Sequence, residues 1–129
     1  MLKTLRSLTF KRGAAISVYA VILIGSSIPG SQIPEIFQFT PDKLIHCAEY
    51  FTLGFMIMRW ANAEFALWGQ TKIQLLVLLI GAVCGMTDEL YQNLIPNRSP
   101  DIYDWYLDLT GIILSMPAFS FWKAKIFQE

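Results

Sequence analysis

The sequence predicts an all-α integral membrane protein, four transmembrane helices in a small bundle with both termini cytoplasmic. Hydrophobic residues fill 54% of the 129 positions and charged residues only 16%, against the usual quarter of a soluble domain. Mean hydropathy is +0.45. Four apolar stretches are each, at roughly 16 to 23 residues, near the length that crosses a bilayer. The 10 Lys and Arg residues are unevenly distributed between those stretches.

The first stretch, 13–28, follows Lys3, Arg6, Lys11 and Arg12. It is the shortest, and its basic start, apolar core and small residues Gly25, Ser26 and Ser27 also fit a cleaved secretory signal over residues 1–28. Cleavage would leave three spans without moving any other loop across the membrane. The second stretch, 44–61, is preceded by Thr40-Pro41-Asp42, the pattern of a helix start with an N-cap, a first-turn proline and an acid at the positive end of the dipole. The third, 73–95, has its apolar part first and leads into the turn Pro96-Asn97-Arg98-Ser99-Pro100-Asp101. Asp101 is placed to cap the fourth, 102–122.

Arg59 and Lys72 lie between the second and third stretches, and Lys123 and Lys125 follow the fourth. Eight of the cations therefore fall on the side of the termini, leaving Lys43 and Arg98 on the other, as the positive-inside rule requires of cytoplasmic ends. No repeat or linker divides the chain, so residues 1–129 form a single domain.

Charged residues collect at one end of the spans. An ionisable group at the centre of a membrane helix costs on the order of 2.5–3.5 kcal/mol, so a group of them at one level indicates a site. At about 1.5 Å per residue, His46 and Tyr50 lie about 5 and 10 Å inward from Lys43, Asp88 about 12 Å inward from Pro96, and Asp108 about 10 Å inward from Asp101. All reach the outer half of the membrane. At 100° per residue Lys43, His46, Tyr50 and Gly54 share a face with Glu49 on its flank; Gly81, Gly85, Asp88, Glu89 and Gln92 share another, and Asp104, Asp108, Gly111 and Ser115 a third. Small residues on each stripe, Gly81-x-x-x-Gly85 among them, let the helices close around the polar groups.

Plainer roles exist for each. His46 can be a packed histidine bonded to a carboxylate, Asp104 can complete a helix start, and Asp108 can form a buried ion pair with Lys43 or Arg98. Asp88 beside Glu89 is harder to explain structurally, since adjacent acids repel unless one is protonated or holds a cation. The outer-side acids outnumber Lys43 and Arg98. A divalent cation held by His46, Asp88 and Glu89 would remove that surplus, but no HExxH or paired-cysteine spacing is present, so a metal at these residues is the minority reading and the sequence indicates no particular cofactor. Cys47 and Cys84 lie at different depths and are read as free thiols.

The residues Lys43-Leu-Ile-His46, Tyr50-Phe-Thr-Leu-Gly54, Gly85-Met-Thr-Asp88-Glu89-Leu-Tyr-Gln92, Pro96-Asn97-Arg98, Asp104 and Gly111 resemble the motifs of VanZ-like proteins. These are small bacterial membrane proteins named for a member of a glycopeptide-resistance cluster. The motif-bearing part covers about residues 40–112. The sequence departs from the pattern at Cys47, where an aromatic is usual, at Asn97, where glycine often precedes the arginine, and at Asp108, where asparagine is usual. The resemblance implies a multi-pass protein of the bacterial plasma (inner) membrane and a link to teicoplanin susceptibility.

The expected ligand-binding set is Lys43, His46, Tyr50, Asp88, Glu89, Gln92, Arg98, Asp104 and Asp108. Its expected ligand is a cell-envelope component, the head group of a lipid-linked wall precursor or a glycolipid, with Tyr103, Trp105 and Tyr106 suited to a sugar. The alternative is an intramembrane enzyme acting on such a head group, metal-assisted or not, with His46, Asp88 or Glu89 as base and Lys43 or Arg98 holding a phosphate or carboxylate. Partners on either reading are membrane lipids. A formal net charge of +0 gives no basis for nucleic acid, and a pore would require a homo-oligomer.

Overall fold

A computed structural model gives the structure of residues 2–37 and 40–126, with the backbone alone described for 2–6, 37, 40 and 41. The side chains of the proposed Thr40-Pro41 cap, those of Lys3 and Arg6, and the terminus at Glu129 lie outside the described residues. Four helices form, α1 (Leu2–Ser26), α2 (Thr40–Glu64), α3 (Gln70–Gln92) and α4 (Ile102–Ile126), with two 3-10 turns at Gly30–Gln32 and Glu35–Phe37. No strand occurs among the described residues.

The helix ends follow local chemistry. α1 starts at Leu2 rather than at Gly13, because residues 2–12 contain neither Gly nor Pro and are rich in Leu, Lys and Arg, which favour helix. It stops short of Ile28, since Pro29 disfavours α geometry in the residue before it, and Ser27 Oγ donates back to the Leu23 carbonyl at 2.7 Å. α3 ends at Gln92 instead of Ile95, where the chain tightens through Leu94 N to Tyr91 O at 2.9 Å and Ile95 N to Gln92 O at 3.0 Å. Such i to i+3 bonds satisfy the last carbonyls of a helix. Asp101 caps α4 as the sequence predicts, its Oδ1 accepting the Tyr103 N–H at 2.8 Å.

The helices run alternately up and down. Arg12 pairs with Glu64, Lys123 donates to Asn62 at 3.1 Å, and the Arg59 guanidinium sits 5.9 Å above the Phe10 ring, so the start of α1 and the end of α4 share one end with the α2–α3 turn. At the other end Gly30 N donates to Pro96 O at 3.1 Å, joining the remaining two connections. α2 and α4 are consequently parallel, and theirs is the most extensive pairing of the bundle.

Glycines make that pairing close. A Cβ on Gly111 would overlap the Cys47 carbonyl and stand 2.7 Å from Phe51 N, so backbone lies against backbone. One on Gly54 would overlap Ser115 Oγ, and one on Gly81 would lie 2.6 Å from Ile112. The buried stripe of α3 runs Ile73, Val77, Gly81, Gly85, Asp88, Glu89 and Gln92, and that of α4 includes Asp104, Asp108, Gly111 and Ser115. Both reproduce the faces derived from helical phase.

Outward the surface is apolar, with Val21, Ile24, Leu75, Leu79, Val83, Ile113 and Phe121 exposed. Over Ser7–Ser26 and Gln70–Gln92 the helices are long and apolar enough to cross a membrane. α2 and α4 are as long, but His46, Glu49, Asp104 and Asp108 lower their hydropathy because these helices carry the polar cluster. α1, alternatively read as a signal peptide, packs into the bundle, where Tyr19 donates its hydroxyl to the Cys84 carbonyl at 3.2 Å.

Candidate functional site

The polar cluster occupies the end of the bundle opposite the start of α1 and the end of α4, where three helices each present a charged turn. Lys43 stands at its rim in the first turns of α2. Its ammonium donates to Asp104 Oδ1 at 3.0 Å and Asp101 Oδ2 at 3.4 Å. The Asp104 hydrogen bond holds it above the usual lysine range. Asp104 stands in the first turn of α4, where its charge suits the helix dipole, but it does not make the capping bond to the Asp101 N–H. That role passes to Glu89 of α3, whose Oε2 accepts the Asp101 N–H at 2.8 Å, the bond that a third-position Glu makes in a capping box.

One turn deeper, His46 Nδ1 lies 3.0 Å from Asp108 Oδ1. The expectation that Asp108 pairs with Lys43 or Arg98 is thereby corrected. Lys43 is engaged at the rim, and Arg98 Nε donates to the Ile28 carbonyl at 3.1 Å, so the imidazole is the group within reach. Asp108 and Asp88 are fully buried, and Glu89 and His46 nearly so at 5% exposure each.

Several buried atoms here have no hydrogen bond, namely both oxygens of Asp88, Glu89 Oε1, Asp108 Oδ2 and the Tyr50 hydroxyl. Ser26 and Gln92 are the polar side chains beside Asp88, and they also bond each other at 3.4 Å. A buried polar atom without a partner costs on the order of 1–3 kcal/mol, and more when charged. Native chains tolerate this mainly where a ligand, an ion or water fills the gap.

A cavity of about 280 Å³ adjoins the cluster, lined by Ser26, Asp42, His46, Glu49, Gln92 and Arg98 among others. Asp104 and Arg98 also border a wider opening of about 540 Å³ between the two end loops. Of the nine ligand-binding residues expected from sequence, the structure brings His46, Glu89, Asp108, Asp104 and Lys43 together. Gln92 and Arg98 lie on the cavity wall. Tyr50 and Asp88 are packed beneath it and do not line it.

The model of the VanZ/LLP1 family matches residues 6–123, nearly the whole chain. The chain belongs to the VanZ/LLP1 family. No curated protein and no solved structure matches it. Membership and the two apolar helices point to a membrane protein.

In this VanZ/LLP1 chain the loop departure Asn97 is accounted for by its backbone, which has φ of 57°. Glycine, or failing that asparagine, suits that left-handed region. Two wall residues, Asp42 and Glu49, lie outside the ligand-binding set expected from sequence, which places Asp42 at the helix start and Glu49 on the flank of the polar face. The signal was available. Asp42, His46 and Glu49 are spaced four and three apart, one face of a helix. Cys47 and Cys84 are free thiols, as predicted.

Proposed function

We propose that this VanZ/LLP1 protein is a multi-pass protein of the bacterial plasma membrane, both termini cytoplasmic, that binds the head group of an envelope lipid at its outer end. The ligand class is a lipid-linked wall precursor or a glycolipid, and its capture alters teicoplanin susceptibility. One observation carries the reading. The polar cavity and an apolar groove of about 310 Å³, lined by Ser17, Val18, Val21, Ile22, Glu49 and Thr52 along α1 and α2, lie on either side of one shared wall residue, Glu49. A lipid likewise sets a polar head beside an apolar chain.

Arg98 at the cavity wall offers a planar fork for a phosphate or carboxylate. Exposed Tyr103 and Tyr106 at the start of α4 present ring faces to a sugar. The eight-to-two division of Lys and Arg along the sequence, with Lys43 and Arg98 as the minority, supports the orientation.

Mass spectrometry of lipid retained by the detergent-purified protein tests the reading. An anionic sugar-bearing lipid is expected on the parent and is depleted in Arg98→Gln and in Val21→Trp, which fills the groove. Teicoplanin susceptibility shifts in the same two variants. A parent that retains only bulk phospholipid, with susceptibility unchanged by either variant, overturns it.

The convergence of His46, Glu89 and Asp108 favours a second reading, an intramembrane enzyme acting on that head group. His46 or Glu89 would serve as general base, with Arg98 holding the substrate's anionic group. Turnover of a retained lipid by the parent and not by His46→Gln separates catalysis from binding.

A further inference from the structure

Three side chains from three helices meet beside the polar cavity. His46, Glu89 and Asp108 each offer one donor atom, and these atoms all lie within 4.8 Å of one another. All three residues are more than nine-tenths buried. Glu89 Oε1 and Asp108 Oδ2 nevertheless have no hydrogen-bond partner. The described cations of this end are engaged elsewhere, Lys43 at Asp101 and Asp104 and Arg98 at the Ile28 carbonyl. The carboxylates of Glu89 and Asp108 thus face each other and an imidazole with no Lys or Arg between them.

The geometry suits an ion. Donors about 2.1 Å from one metal and about 90° apart stand about 3.0 Å from each other, and His46 Nδ1 to Asp108 Oδ1 is 3.0 Å. Gly85 keeps the space open, since a Cβ there would lie 3.0 Å from Asp108 Oδ2. One turn further along the same α3 stripe stands Glu89, so an ion on that side is within its reach.

We propose that His46, Glu89 and Asp108 hold a divalent transition-metal ion, manganese or zinc, at the edge of the polar cavity. An imidazole nitrogen with carboxylate oxygens favours these over magnesium and calcium, which prefer all-oxygen sets. Three protein donors leave coordination positions open, and His46 lies on the cavity wall, so those positions can take water or an oxygen of a bound molecule. A second triad, Asp42, His46 and Asp104, also has its donor atoms within 4.8 Å of one another but is poorer. Asp104 there carries the Lys43 ammonium at 3.0 Å, whose charge repels a cation.

The inference goes beyond the lipid-binding reading and does not depend on it, because the ion alone is the probe. Metal-stripped protein in detergent, given manganese or zinc chloride and desalted, is assayed for bound metal and for its melting temperature. The expected result is one ion per chain and an upward melting shift with either metal, absent with magnesium. Both effects are lost in Glu89→Gln and Asp108→Asn and kept in Asp42→Asn. Should the first two variants misfold, electron spin-echo spectroscopy of the manganese-loaded parent decides, a nitrogen coupling from one imidazole being expected because the chain has 1 histidine. A parent that binds neither metal, bound manganese without nitrogen coupling, or binding that survives both Glu89→Gln and Asp108→Asn overturns the proposal.

Discussion

His46 on α2 and Asp108 on α4 meet through Nδ1 and Oδ1 at 3.0 Å, one turn below the Lys43–Asp104 contact of the same two helices. Because α2 and α4 run parallel, the two contacts fix one register between them. Removing one partner of a buried pair strands the other at about 3–5 kcal/mol, whereas replacing both by apolar groups is often near neutral. His46→Leu is accordingly expected to destabilise by about that amount, and the double variant His46→Leu with Asp108→Leu to regain most of it. Unfolding of the two variants in detergent checks this, a double variant as unstable as the single one counting against the pair.

Glycine substitutions should divide by location. Gly111→Ala sets a methyl against the α2 backbone at Cys47 and Phe51, atoms that cannot rotate away, and overpacking costs about 1–3 kcal/mol or more. Gly85→Leu meets Asp108 and Trp105 and harms folding likewise. Gly13→Ala meets nothing within 4 Å and gains up to about 1 kcal/mol of helix propensity. Melting temperatures of the three proteins test the order, with Gly13→Ala highest.

Asn97 holds a left-handed backbone, φ 57°, which costs a residue with a side chain about 1–2 kcal/mol. Asn97→Gly should be neutral or stabilising, and Asn97→Val destabilising by roughly that cost. The same melts decide between them; equal stability of the two variants would show that this turn relaxes to another conformation.

The orientation of the chain is open to direct measurement. Reporter fusions after residue 129 should give a cytoplasmic signal, and a fusion at Asn97 an exterior one. The opposite pattern would move the cluster to the cytoplasmic leaflet and remove the basis for an envelope ligand.

Helical phase made the buried faces of α3 and α4 readable in the sequence, down to Gly81, Gly85, Asp88, Glu89 and Gln92 on one stripe. Phase says which side of a helix is buried but not which neighbour it meets. For that reason Asp108 was assigned to Lys43 or Arg98, while the parallel packing of α2 on α4 delivers it to His46. The exchange of duties between Asp104 and Glu89 was hidden for the same reason, since a capping bond supplied from a different helix leaves no local spacing to find. The start of α1 was misplaced because hydropathy marks the apolar part of a helix, and basic residues continue the helix outside it.

The backbone contact at Gly111 has a mechanical corollary. Atoms of the main chain cannot rotate aside as a side chain can, so any residue larger than glycine at 111 must push α2 and α4 apart. Gly81 and Gly85 seat α3 against α4 in the same way, at Ile112, Trp105 and Asp108. The remaining wall is α1, which borders the polar cavity, the groove beside Glu49 and a third, apolar cavity lined by Tyr19 and Cys84. α1 is thus the wall common to all three cavities, whereas the polar cluster itself is held by the other three helices.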